Sequence, residues 1–152
     1  MSIAVEEYIG TKATAMSMPE EFASMSPSEI RLAIAELVKQ DKLTLAVAAT
    51  EAALALHADS EDVLVIASLV AEVMQDWGRA EQLLIRLLEI QGFEAPPVNW
   101  LHLIRTLRCQ NKAEDMVCVI DHVLERFGSD PMVARELETL IALKAGAQPI
   151  AA

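Results

Sequence analysis

Basic side chains are scarce in this chain of 152 residues, where 12 lysines and arginines stand against 23 aspartates and glutamates. The formal net charge of −11 repels phosphate backbones and anionic lipid surfaces, so we expect no nucleic-acid partner and no membrane insertion. No uncharged apolar run is long enough to cross a bilayer. The same charge would attract a basic peptide or protein, or would simply keep a small protein soluble.

Cysteine and histidine are rare, with two and three copies. Cys109 and Cys118 do not make a disulfide framework, and we expect both thiols to be buried as small apolar groups. No CxxC or HxxxH spacing predicts a metal site. The first residues lack the basic and apolar regions of a signal peptide. We therefore expect a reduced, cytoplasmic protein that binds no metal.

Sequence motifs for catalysis and for phosphate binding are missing as well. There is no GxGxxG, GxxxxGK[ST] or GxSxG, and no nucleophile stands in a pattern that suggests an oriented base. We predict that the chain is not an enzyme and takes no cofactor. Glycine, with five copies, and proline, with six, are too few to break up long helices. Because 53% of the chain is hydrophobic and only 4% aromatic, an all-α protein with closely packed helices is expected.

A short polar break between two apolar helical runs occurs three times, at residues 40–46, 75–80 and 110–116. Ala46 and Ala80 are 34 positions apart. Ala80 and Met116 are 36 positions apart, and the two extra positions fall near Pro96-Pro97. A period of about 34 residues made of helix, turn and helix has the length of a tetratricopeptide repeat.

Start and stop signals divide the chain into seven helices after an N-terminal arm. Ser26 and Ser60 are expected to cap helices, proline opens helices at positions 27, 97 and 131, and Gly92 and Gly128 end them. The predicted core stripes include Ile30, Ala33, Ile34, Leu37, Ala46, Ala49, Thr50, Ala53, Leu54, Leu64, Ala67, Ser68, Ala71, Ala80, Leu83, Leu84, Leu87, Leu88, Trp100, Leu103, Ile104, Leu107, Met116, Val119, Ile120, Val123, Leu137, Leu140, Ile141 and Leu143.

The three segments resemble tetratricopeptide repeats at the positions that define that family. In the second helices the pairs are Leu43/Ala46, Trp77/Ala80 and Ala113/Met116, and the first helices carry stripes such as Trp100, Leu103, Ile104 and Leu107. Met116 and Ile104 depart from the family pattern, which has small residues there. The resemblance implies a right-handed α-solenoid of three helix pairs with a capping helix. We expect an N-terminal arm over residues 1–26, partly helical, a helical domain over 27–146 and a frayed tail over 147–152.

In this family the first helices line a concave groove, and placing the three copies in register predicts its lining. An ordinary solvated helix face is the alternative for each residue, although the apolar members together would make a sizeable exposed patch. The predicted groove residues are Arg31, Ala35, Val38, Val65, Leu69, Glu72, Leu101, Arg105 and Arg108. The resemblance implies that they bind an extended peptide or a helix of another protein, as in an adaptor or chaperone.

Three narrower functions remain open from the sequence, and one of them, a regulatory subunit of an enzyme or secretion machine, is not separable from an adaptor by sequence. Small acidic three-repeat proteins resemble the chaperones of bacterial type III secretion, which hold exported subunits and often dimerise through an N-terminal helix. The Met-rich arm could instead pack on its own solenoid, fray, or fill the groove of a second copy in a self-assembling scaffold.

Overall fold

The computed structural model describes residues 20–147, with side chains as far as residue 142. Every regular element in this part of the chain is helical, so the all-α prediction is confirmed. A helical turn occupies residues 20–23. The helices that follow are α1 (Pro27–Lys39), α2 (Leu43–Leu56), α3 (Glu61–Val73), α4 (Trp77–Gln91), a 3₁₀ turn (Gly92–Glu94), α5 (Pro97–Cys109), α6 (Ala113–Phe127) and α7 (Pro131–Ala147). The predicted arm falls outside the described residues except for residues 20–26, and so does the predicted tail beyond residue 147.

The helix starts confirm the capping signals in the sequence. The Ser26 hydroxyl accepts a hydrogen bond from the Glu29 amide at 3.2 Å, and Ser60 accepts one from the Val63 amide at 3.4 Å. Each bond satisfies one of the amides that have no partner in the first helical turn. Helices α1, α5 and α7 all begin with proline, whose fixed φ suits the first helical position.

The three polar breaks share one backbone geometry. Asp41, Gln75 and Asn111 have φ angles of 59°, 58° and 58°, in the left-handed region that residues other than glycine and asparagine rarely adopt. In each turn this residue's amide donates to the carbonyl three positions earlier, and the next amide donates to the carbonyl five positions earlier. This is the Schellman ending of a helix. The sequence repeat is therefore also a repeat of backbone conformation at these three turns.

The described part of the chain divides between residues 90 and 91 into two compact units, residues 20–90 and residues 91–147. In the first unit α1 packs on α2 and α3, and α2 packs on α3. Phe22, from the helical turn before α1, is buried in the core that these helices form. Helix α4 joins through Ala80, Leu83 and Leu87, which pack with three α3 residues, Leu64, Ala67 and Ala71.

The second unit holds α5, α6 and α7, and its packing order is the same. Helix α5 packs on α6 and α7, and α6 packs on α7. Its buried apolar side chains are Leu103, Ile104, Leu107, Met116, Val123, Val133 and Leu137, with Ala95 before α5. A three-helix arrangement thus occurs in each unit, built from a hairpin and the helix that follows it.

Most of the predicted core stripes are buried, including all five α4 positions and both isoleucines of α1. Three expectations are wrong. Cys109 and Cys118 are exposed rather than buried. Cys109 is the last residue of α5, beside the polar turn. Cys118 lies two residues beyond buried Met116, on the opposite side of α6. Ile141 is 48% exposed, since α7 buries only the stripe through Val133 and Leu137. Leu143 lies outside the residues whose side chains are described.

Two glycines allow a matched test of the backbone geometry. Gly92 has φ +56°, and no atom lies within 4 Å of the place that an added Cβ would take. Gly78 is the second residue of α4, with equally open space. We expect Gly92→Ala to destabilise the protein by about 1 kcal/mol through left-handed strain alone. Gly78→Ala should stabilise it by up to about 1 kcal/mol through helix propensity. Urea denaturation followed by circular dichroism measures both, and shifts of equal sign would contradict the assignment.

Candidate functional site

None of the nine predicted groove residues is buried. Arg31 and Ala35 are exposed, and the other seven side chains are half-buried. Six of the nine belong to the first unit and the three on α5 belong to the second.

In the first unit the predicted groove residues are largely engaged within the fold. The Arg31 guanidinium on α1 forms an ion pair with the Asp62 carboxylate on α3, with 3.0 Å between Nη1 and Oδ1. Val65 and Leu69 pack against the buried clusters of the unit. Their half-buried side chains belong in part to the core, so this face offers less free apolar surface than the sequence predicted.

In the second unit an open cleft of about 240 Å³ lies between α5 and α7. It brings together two of the predicted groove residues, Leu101 and Arg105, with five residues that were not predicted to line a groove. Its lining consists of Val98, Leu101, His102, Arg105, Met132, Glu136 and Leu140. We define this set as the α5/α7 cleft.

Helical periodicity explains why these side chains share the cleft. The α5 members recur at helical spacing along one side of that helix, and the α7 members recur every four residues, so each set lies on one face. Leu103 and Leu107 point the other way, into the core, and fix the rotation of α5. Val133 and Leu137 do the same for α7. The core stripes therefore determine which side chains line the cleft.

The apolar part of the cleft is partly open to solvent. Val98 and Met132 are 48% and 52% exposed, and Leu101 and Leu140 are half-buried between the helices. Exposed aliphatic side chains beside half-buried ones form a surface that gains free energy when another apolar group covers it. The cleft is thus suited to bind an aliphatic side chain.

Polar groups at the cleft are held by contacts inside the unit. The Arg105 guanidinium lies at hydrogen-bond distance from His102 Nδ1, one turn earlier on α5. Arg108, the third predicted basic residue, donates to the Leu140 carbonyl on α7 at 3.5 Å. Glu136 supplies a carboxylate on the α7 side. Arg105 and Glu136 thus give the lining of the cleft one cation and one anion.

The size of the cleft separates binding of a peptide side chain from binding of a metabolite. Small-molecule sites usually enclose roughly 300–1,000 Å³ and surround most of the ligand. A cleft of about 240 Å³ that is open to solvent is smaller, and its lining contains no thiol or hydroxyl nucleophile. The arrangement favours contact with one or two side chains of a larger partner.

The sequence did not predict the α7 half of the cleft, because the resemblance assigns the last helix only a capping role. Met132, Glu136 and Leu140 recur every four residues beside the buried stripe of Val133 and Leu137. The apolar members of this face are only Met132 and Leu140, with charged Glu136 between them, so the sequence signal was weak.

Neither a metal centre nor a membrane segment is seen within residues 20–147. This part of the chain contains no group of three or more His, Cys, Asp or Glu side chains placed to hold a metal ion. None of its helices has both the length and the apolar character that a bilayer crossing requires. In comparisons with known proteins, no family model, no curated protein and no solved structure matches the chain.

Proposed function

We propose that this protein is an interaction module, an adaptor or chaperone, that binds a peptide or helix of another protein through the α5/α7 cleft. The observation that carries the proposal is the cleft itself, with partly exposed Val98 and Met132 above half-buried Leu101 and Leu140. A partner segment would insert one or two aliphatic side chains there. Arg105 and Glu136 would orient its polar groups.

We further propose that the three hairpins belong to a tetratricopeptide-like solenoid. Two observations support this architecture. The same Schellman turn with a left-handed residue closes the first helix of each hairpin. Each unit also packs a hairpin against the helix that follows it. Repeats of this kind cannot bury their apolar faces alone, and stacking makes their core continuous.

The proposal is tested by photo-cross-linking from the cleft. A photoreactive phenylalanine analogue at Met132, which is 52% exposed, should capture a partner peptide in cells, identified by mass spectrometry of the cross-linked fragment. The Val98→Glu change, at a side chain 48% exposed, places a carboxylate on the apolar rim. We expect it to reduce the cross-link at least about tenfold, equivalent to about 1.4 kcal/mol.

Val73→Glu is the matched control, because Val73 is 50% exposed and lies on α3, outside the cleft. It should leave the cross-link unchanged. Equal capture by wild type and by Val98→Glu would contradict binding in the cleft. Both variants change half-exposed side chains, so circular dichroism should show full helical content. Glutamate at Val65 or Leu69 would be a poorer choice, since both residues pack on the core.

Two narrower versions of the proposal concern the identity of the partner. A chaperone for an exported subunit would cross-link to a segment of that subunit in the cytoplasm. A self-assembling scaffold would cross-link to another copy of this chain. If the N-terminal arm mediates a homodimer, the protein without the arm would be a monomer. The deletion should stop at residue 19, because Phe22 is buried in the core of the first unit and Met25 packs against it.

A further inference from the structure

Helix α6 carries an apolar stripe that the fold of its own unit does not cover. Val117 and Leu124 are 52% and 46% exposed, Ala113 is exposed, and Ile120 between them is half-buried. The spacing from Ala113 to Leu124 alternates between four and three residues, as it does between the apolar residues at the interface of a coiled coil. The core side of α6 is formed by Met116 and Val123 instead. We define Ala113, Val117, Ile120 and Leu124 as the α6 stripe.

A row of carboxylates borders this stripe on its solvent side. Glu114, Asp121 and Glu125 are all exposed, at spacings of seven and four residues. Each directly follows a residue of the α6 stripe in the sequence, so the row lies about 100° round the helix from the stripe. Among the described residues none of the three forms an ion pair. The row therefore presents negative charge along about three turns of α6 beside exposed apolar surface.

We propose that the α6 stripe docks a basic amphipathic helix of a partner protein. The stripe supplies the apolar seam, and the three carboxylates would pair with lysine or arginine residues flanking the partner's own seam. Because the stripe extends over about three turns, a partner helix of about 11 residues or more is needed. This surface is separate from the α5/α7 cleft, so it extends the proposed function and does not depend on it.

Charge selects a basic partner over a second copy of this chain. Two copies joined antiparallel through the stripe would place both carboxylate rows on the same side of the seam, where they repel each other. Each copy also has a net charge of −11. A helix with basic flanks replaces this repulsion by attraction, which also accelerates encounter at low salt.

The test uses synthetic helices of about five turns as probes, and fluorescence anisotropy measures their binding to the full chain. The first peptide has leucine at the two seam positions of each heptad and lysine at the flanking positions. The second contains the same residues in scrambled order, and the third has glutamate in place of lysine. We expect only the first to bind wild type. The Val117→Ser/Leu124→Ser double variant should weaken that binding at least about tenfold, or about 1.4 kcal/mol.

Two further variants separate this surface from the cleft and from diffuse charge. Val98→Ser/Met132→Ser changes the cleft alone and should leave the affinity for the leucine–lysine peptide unchanged. Glu114→Lys/Asp121→Lys/Glu125→Lys leaves the apolar α6 stripe intact, and this variant should bind the glutamate peptide in preference to the lysine peptide. Because every substituted side chain is exposed, helical content should be retained.

Three outcomes would overturn the proposal. If the scrambled peptide bound as tightly as the first, binding would depend on general charge attraction and not on a defined apolar seam. If Val117→Ser/Leu124→Ser bound the leucine–lysine peptide as tightly as wild type, the α6 stripe would be excluded as the binding site. A wild-type dimer in sedimentation experiments that Val117→Ser/Leu124→Ser converts to a monomer would identify a second copy as the occupant. None of these results bears on the cross-linking experiment at Met132, so failures of the two proposals are distinguishable.

Discussion

Replacing Ile104 by alanine is expected to lower the free energy of unfolding by about 2–5 kcal/mol. Ile104 lies in the middle of α5, is 0% exposed, and is among the largest fully buried side chains. Its removal leaves a cavity that the surrounding helices can fill only in part. The tetratricopeptide pattern has a small residue at this position, so a consensus argument would predict that alanine is tolerated or even stabilising. The structure predicts the opposite.

Urea denaturation followed by circular dichroism measures this effect in the full chain. Val98→Ala, on the exposed side of the same helix, is the matched control and should change stability by less than about 0.5 kcal/mol. A loss for Ile104→Ala no larger than that of the control would mean that the third hairpin is loosely packed. The burial of α5 against its neighbours would then be wrong.

Enlarging Ala80 to methionine is expected to destabilise the first unit by about 1–3 kcal/mol. Ala80 is 0% exposed and packs with Leu64, Ala67 and Ala71 of α3, so a longer side chain must displace these neighbours. The same repeat position in the third hairpin is Met116, which is 5% exposed. The two hairpins therefore need side chains of different size at equivalent positions.

Ala35→Met serves as the control for Ala80→Met, because Ala35 is exposed on α1 and a longer side chain there meets solvent. Thermal unfolding by circular dichroism should show a lower Tm for Ala80→Met and little change for Ala35→Met. Equal midpoints would indicate that α3 and α4 are not in close contact. A second variant, Ala80→Gly, should also destabilise through helix propensity, by about 1 kcal/mol.

The helix boundaries could be predicted from the sequence because their signals are local. Ser26, Ser60 and the prolines at helix starts act on amides within one turn, without help from the rest of the fold. The α4 stripe was equally clear, since five apolar residues stand on one face and charged residues on the other. Local chemistry alone was enough for these elements.

The candidate site depended on contacts that the sequence does not encode locally. Periodicity gives the centre of an apolar face but not its width, so it did not separate the buried side of α6 from the α6 stripe. The cleft needed the position of α7 relative to α5, which long-range packing decides. For the same reason the sequence did not predict the ion pair between Arg31 and Asp62, which stand 31 positions apart.

The two tryptophans of the chain are divided between the two units, with Trp77 opening α4 in the first and Trp100 on α5 in the second. The Trp100 indole lies against the His122 imidazole, with 4.6 Å between ring centroids. A pair of single-tryptophan variants therefore makes each unit visible on its own. Coincident or separate emission changes in urea then show whether the chain unfolds as one cooperative body or as two.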